Sequence, residues 1–262
     1  MHKMKDKLSV VKIGGNVIED EKALDIFLTA FAKLGGLKIL VHGGGKLATQ
    51  LATRLGIESK LIDGRRITDK DTVDIITMVY GGLVNKKIVA QLQAKNTNAI
   101  GLSGADGNSI HAHKRPVKYI DYGFVGDVDG INSELLTSLL SINLTPIFCA
   151  ISHDGNGQLL NTNADTIASE IAIGMAQHFE TTLYYCFEKK GVLLDIADDN
   201  SVVKHINTIK YNELLSDGII ADGMLPKLHN CFHALQNNVE KVCLGDVSML
   251  DKKTELFTTL KL

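Results

Sequence analysis

The chain has 262 residues, of which 45% are hydrophobic and 22% charged, with a formal net charge of −2. That length buries a sizeable core in one large domain or in two lobes sharing a sheet, and no stretch approaches the ~20 apolar residues of a membrane span. With no dense Lys/Arg run to meet a phosphate backbone, the expected partners are small molecules, not nucleic acid or membrane.

The first residues, Met1 to Lys7, are polar and lack the apolar core of a signal peptide, so a cytoplasmic location is expected. Residues 8–13 (LSVVKI) predict a buried strand, and Leu24, Phe27, Leu28, Phe31 and Leu34 mark one helical face that ends at Gly35-Gly36. A second strand, 37–41, turns at HGGG into a helical stripe of Leu47, Leu51 and Leu55. After a polar excursion through Asp63-Gly64, one long helix is expected over about 69–95, then a strand at 98–102 and hairpins over 104–131. A helix near 133–142, a strand at 145–151, a tight HDGNGQ turn and a helix at 164–178 follow. The remainder predicts a strand at 181–187, a loop with Asp198-Asp199-Asn200, helices near 211–216 and 225–237, and a strand at 239–244. Such alternation implies an α/β fold with a mainly parallel sheet covered on both faces, and a lobe boundary near residue 179 inside continuous structure.

The four cysteines, Cys149, Cys186, Cys231 and Cys243, are widely spaced and read as reduced core thiols. His229 and His233 stand four apart on an expected helix, but without the Glu of an HExxH site they make no metal centre.

Phosphate chemistry enters with two glycine turns, Gly14-Gly15 and Gly43-Gly44-Gly45, each expected at the carboxyl end of a strand near a helix N-terminus. There, backbone N–H groups can approach an anion and the helix dipole adds positive potential. Lys12 sits just before the first turn, on a strand that gains nothing from a buried cation. Neither turn is a Walker A loop, since Leu47 stands where Ser or Thr should follow Gly45-Lys46, and neither is a GxGxxG fingerprint. NTNAD (Asn161 to Asp165) can present an Asn and an Asp to a cleft while capping a helix. ADGMLPK (Ala221 to Lys227) opens another helix, with Pro226 tolerated in its first turn and Lys227 at the end that favours anions. A cation there requires an anion close by.

The segments VVKIGGNVI, LVHGGGK, DGRRITDKDTVDIITMV, NKKIVAQL, QLLNTNAD and GIIADGMLPK, in this order, resemble the N-acetylglutamate kinase branch of the amino acid kinase family over essentially the whole chain. The resemblance implies a three-layer αβα sandwich, with 1–178 as the lobe for the acyl amino acid and dimerisation and 179–262 as the nucleotide lobe. It implies ATP with Mg²⁺, and transfer of the γ-phosphoryl group to the γ-carboxylate of an N-acylated glutamate. By the same resemblance Lys12 and Lys227 contact the transferred group and Asp165 orients them; Gly14, Gly15 and Gly43 hold phosphate; and Gly44, Gly45, Arg66 and Asn161 bind the acyl amino acid. Phe187 to Gly191 depart from the family pattern, so adenine and ribose contacts are not carried over, although Lys189 offers a charge to ATP phosphates. With about seven residues ahead of the first strand, too few for a stable extra helix, a homodimer insensitive to arginine is expected.

Two alternatives stay open at this level. HGGG and GLSGA around Ser103 resemble parts of an α/β-hydrolase site, although Ala105 breaks the nucleophile elbow. Within the kinase reading, His113, Lys114, Arg115 and Lys118, with Arg65, offer enough positive charge to hold the second carboxylate of an N-succinyl group.

Overall fold

The computed structural model describes residues 5–62, 65–220, 224–251 and 254–262. The expected Asp63-Gly64 excursion and the Ala221-Asp222-Gly223 part of ADGMLPK lie outside the described residues.

The chain begins with β1 (Lys7–Ile13), the five-residue α1 (Gly15–Glu19), α2 (Glu21–Lys33), β2 (Leu37–His42) and α3 (Gly45–Arg54). Helix α2 starts where Asp20 accepts hydrogen bonds from the N–H groups of Lys22 and Ala23. It ends where the buried Lys38 ammonium donates to the carbonyls of Phe31, Ala32 and Leu34, satisfying groups that a helix end leaves open. A short hairpin, β3 (Leu61–Ile62) and β4 (Arg65–Arg66), leads to the long helical run.

That run is not one uniform helix. It comprises α4 (Lys70–Ile76), a π-helical segment at Thr77–Val84 and α5 (Asn85–Ala94). The Gly81-Gly82 pair, weak in helix propensity, lies inside the π segment. Then come β5 (Ala99–Leu102), β6 (Ile110–Lys114), β7 (Gly126–Ile131), α6 (Ser133–Ser141), β8 (Thr145–Cys149), β9 (Ile151–His153), β10 (Leu159–Asn161) and α7 (Ala164–Ala176). The chain finishes with β11 (Glu180–Cys186), β12 (His205–Ile206), α8 (Thr208–Ser216), α9 (Met224–Gln236), β13 (Lys241–Gly245) and β14 (Thr258–Leu260).

Eight strands form the central sheet in the order β12-β14-β13-β11-β1-β2-β8-β5, parallel except where β13 meets β14. A second sheet, β10-β9-β6-β7, contains the expected hairpins. Helix α7 packs on β1, β2 and β11 and against α6 and α9, while α2 packs against α1 and α5. The inner strands β1, β2 and β11 are buried at most positions, as a parallel sheet covered on both faces requires. Because β11 pairs directly with β1, the expected boundary at 178/179 divides one continuous sheet, not two separate cores. No helix among the described residues is long and apolar enough to cross a membrane.

Candidate active site

Register carries the site together. Ile13 is opposite both His42 and Cys186, and Cys186 is opposite Gly245, so the carboxyl ends of β2, β1, β11 and β13 lie side by side. The crevice at such strand ends is where open α/β sheets bind ligands. Both glycine turns leave from this edge: Gly14 precedes α1, and Gly44 precedes α3. The Gly14 N–H is already donated to the Cys186 carbonyl at 2.8 Å, whereas Gly15 is the first residue of α1, where N–H groups lack helical partners. Lys46, from α3, contacts Asn16 and Glu19 and so ties the two helix starts to each other.

Three charges meet beside these turns. Lys12 Nζ lies 2.7 Å from Asp165 Oδ1, and Lys227 Nζ lies 2.6 Å from Asp165 Oδ2. The side chains are only 15 to 17% exposed. Burial pushes the Asp165 carboxyl up, but the two ammonium groups outweigh it and hold it well below the usual carboxylate range. Asp165 stands in the first turn of α7, but the cap is Asn163, whose side chain accepts from the N–H groups of Asp165 and Thr166. Capping and ion pairing thus fall to different residues of NTNAD. Lys227 is the fourth residue of α9, and Asp165 is the anion that its position at a helix N-terminus requires. The Lys227 ammonium also stands 4.9 Å from the Tyr185 ring centroid and 5.9 Å from that of Phe187. Tyr185 in turn donates its hydroxyl to the Asp165 carbonyl at 2.9 Å.

Arg66, on β4, donates to the Gly45 carbonyl at 2.9 Å and to Thr49 Oγ1 at 2.7 Å. Asn161 donates to Thr68 Oγ1 at 3.0 Å, and that hydroxyl donates to the Arg66 carbonyl at 3.2 Å. The two residues expected to hold one carboxylate are therefore joined through Thr68. Tyr80 closes the turn from behind, since a Cβ at Gly44 would stand 2.8 Å from its ring. Asn163 and Thr68 lie inside segments already marked in the sequence, NTNAD and DGRRITDKDTVDIITMV, but their parts in the site are not legible from it; Thr49 and Tyr80 carry no motif, and Tyr185 leaves only the signal of a polar tip on a buried strand.

The basic residues expected at the acyl end are partly matched already. Arg115 Nη2 is 2.6 Å from Asp127, and His113 Nδ1 is 2.6 Å from Asp129. Lys114 stands 5.4 Å from the Phe124 ring centroid and makes no ion pair among the described residues. Phe124 donates its N–H to the Thr68 carbonyl, and its own carbonyl accepts from the Asn161 N–H. Lys189 pairs with Asp199 at 2.8 Å. His233 contacts Glu170, His229 is exposed, and the described residues contain no group of three metal ligands. Ser103 Oγ donates to the Asp106 carboxylate, and no histidine is hydrogen-bonded to Ser103 among the described residues, so the hydrolase alternative lacks the imidazole that would activate its nucleophile. The four cysteines are buried and unpaired, and burial pushes their thiols up.

The amino acid kinase family matches residues 7–246. The chain belongs to that family. It is 52% identical over 249 residues to an acetylglutamate kinase of Phocaeicola vulgatus, covering 95% of this chain and 97% of that one. With the acetylglutamate kinase of Cytophaga hutchinsonii it shares 54% identity over 245 residues, 93% of each chain. Among solved structures, carbamate kinase from Giardia lamblia bound to AMP-PNP superposes with a TM-score of 0.69 at 14% identity, over 100% of this chain and 99% of that one, a likeness of fold alone. The mainly parallel eight-stranded sheet and its helical cover are those expected of an amino acid kinase.

Proposed function

We propose that this chain transfers the γ-phosphoryl group of MgATP to the γ-carboxylate of N-acetyl-L-glutamate, a step of arginine biosynthesis. The observation that carries the reading is the Lys12–Asp165–Lys227 cluster, two ammonium groups held on one carboxylate where both glycine turns open. The identity to acetylglutamate kinases supports the choice of acceptor.

A glutamate side-chain carboxyl ordinarily titrates at about 4.3, so the acceptor is already ionised at neutral pH and the reaction needs no general base. Its difficulty lies in bringing two anions together. Lys12 and Lys227 offer compensating charge from β1 and α9, and Asp165 keeps both chains extended toward one point. Apart from that of Gly14, which is spent on the Cys186 carbonyl, the N–H groups of the glycine turns add donors to the equatorial oxygens in transit, the kind of stabilisation on which phosphoryl transfer depends. With Asp165 engaged by both lysines, Mg²⁺ in this reading enters with the nucleotide as part of the substrate. Arg66 and Asn161 bind the α-carboxylate, a task suited to a guanidinium that meets both oxygens at once.

In this reading residues 1–178 hold the acyl amino acid and 179–262 the nucleotide, in the cytoplasm, where the four thiols stay reduced. The exposed Met78 and Leu83, five residues apart on the π segment, suit the face of a homodimer, which sedimentation tests. A coupled ADP-release assay over N-acetylglutamate, glutamate, aspartate and carbamate tests the function. Turnover is expected with N-acetylglutamate and little with free glutamate, whose ammonium replaces a neutral amide; preference for any of the other three overturns the proposal. Lys114, standing on the residue that is hydrogen-bonded to Asn161, favours a second reading in which N-succinylglutamate is also accepted.

A further inference from the structure

The π-helical segment brings together two residues that an α-helix would separate. In an α-helix, residues five apart point about 140° away from each other. Here the Asn85 N–H reaches the carbonyl of Tyr80, five residues back, the hydrogen bond that defines π winding. As a result Tyr80, Val84 and Asn85 all face the HGGG segment. A Cβ on Gly44 would meet the Tyr80 ring at 2.8 Å and Val84 Cγ2 at 3.5 Å, and the Asn85 amide reaches His42.

The hydrogen bonds of Asn85 are fully assigned by their partners. Its Nδ2 donates to the Ile147 carbonyl at 2.9 Å and to His42 Nε2 at 3.0 Å, and its Oδ1 accepts from Lys86 at 3.2 Å. The opposite orientation would set Oδ1 against the Ile147 carbonyl and lose both donors. His42 Nε2 is therefore an acceptor, and the imidazole proton sits on Nδ1, which donates to the Gly43 carbonyl at 2.8 Å. His42 and Asn85 are at most 1% exposed, and burial pushes the imidazole down to about 4, in keeping with one proton and one acceptor nitrogen. On the far side, a Cβ at Gly101 of β5 would overlap Asn85 Oδ1, so only glycine there leaves room for the amide.

We propose that Asn85 is a positioning residue for phosphoryl transfer: seated by the π turn, its amide holds His42 in the tautomer that fixes the Gly43 carbonyl, and so sets the glycine turn beside the Lys12–Asp165–Lys227 cluster. Neither Asn85 nor His42 touches substrate. Their effect is on where the turn's N–H groups point when charge moves onto the transferred oxygens, an interaction stronger in the transition state than in the ground state.

This inference rests on the kinase reading, and steady-state kinetics with MgATP and N-acetylglutamate separates the two. A folded parent chain that releases no ADP defeats the kinase reading; an active parent whose variants keep their kcat defeats only the inference. Asn85→Ala is expected to lower kcat by at least ~10-fold with KM for ATP within ~3-fold, the pattern of an interaction made in the transition state. Gly101→Ala, which alters neither glycine turn nor any charged group of the site, should reproduce that loss by displacing the Asn85 amide. His42→Ala combined with Asn85→Ala should be no worse than the poorer single variant, because one residue acts through the other. Unchanged kcat in either Asn85→Ala or Gly101→Ala, a loss confined to KM, or losses that multiply in the double variant would each overturn the inference. If Asn85→Ala does not fold, Gly101→Ala decides; loss of fold in both reduces the amide to a structural role and also overturns it.

Discussion

Two polar constellations stand behind the glycine turns, and they keep their shape by opposite means. Lys12–Asp165–Lys227 joins β1, α7 and α9 through charge, in a part of the site that retains some exposure. His42–Asn85 joins β2 to α5 with no ion pair, sealed from solvent. On the proposed function the first exchanges its partners when two anions arrive, a task for groups that attract anions and can reorient. The second is buried away from the cleft, so it can be fixed by directional hydrogen bonds whose loss on burial would be costly.

The sharpest way to break this comparison is to remove the charges. Lys12→Ala or Lys227→Ala should lower kcat by at least ~10²-fold, the scale for deleting one electrostatic stabiliser of a transition state. Near-normal kcat in both variants would show that the charged cluster merely holds the lobes together. The ~10-fold loss expected for the neutral pair should remain distinctly smaller.

Acid should separate the two constellations by stability. The folded His42 imidazole titrates at about 4 against an ordinary value of 6.5, so as pH falls the unfolded chain takes the proton first. Stability from this residue is therefore complete above pH 6.5 and lost as pH drops toward 4, by up to about 1.4 kcal/mol per pH unit and about 3 kcal/mol in all. Asp165 behaves differently: its folded value lies below the ordinary 3.8, so its contribution is intact across that window and fades only in stronger acid. Urea unfolding between about pH 7 and 4.5 should show a steeper loss in the parent than in His42→Ala. Parallel pH profiles would mean that the buried imidazole is not the sensor.

The charged cluster was legible in the sequence because isolated charges on apolar elements demand an explanation. Lys12 on a buried strand and Lys227 at a helix start are both out of place until Asp165 is put between them. The neutral pair gave no such sign. An Asn within a long helical pattern is ordinary, and the His of HGGG looks like one more turn residue. What joins them is a π winding at residues 77–84, and a hydrophobic period read over 69–95 does not distinguish it from a continuous helix. The small strand β14 escapes the sequence for a related reason: three residues are too few for a pattern, and their pairing with β13 and β12 is a tertiary choice.

Arg66 belongs to neither constellation but leans on the turn that both support, through the Gly45 carbonyl. Arg66→Lys keeps a charge and loses the planar fork, so KM for the acyl amino acid should rise by ~10-fold with kcat little changed. A change confined to the KM for ATP would move Arg66 out of the acceptor site.

The smallest effect concerns the acyl end, where the same contrast between spent and available charge recurs. Arg115 and His113 already have a carboxylate each, Asp127 and Asp129, which offsets their charge before any ligand arrives. Among the described residues Lys114 meets only the Phe124 ring, and that residue is hydrogen-bonded through its backbone to Thr68 and Asn161. If N-succinylglutamate is accepted, Lys114 is the cation that its extra carboxylate finds, and Lys114→Met should lower kcat/KM for the succinyl substrate by ~5-fold, the modest scale of an exposed ion pair. The same substitution should leave N-acetylglutamate unaffected, because an acetyl methyl offers no charge to answer. An equal loss on both substrates would mean that Lys114 supports the loop and not the ligand. A preference for acetyl above ~100-fold in the parent chain would remove the succinyl reading altogether.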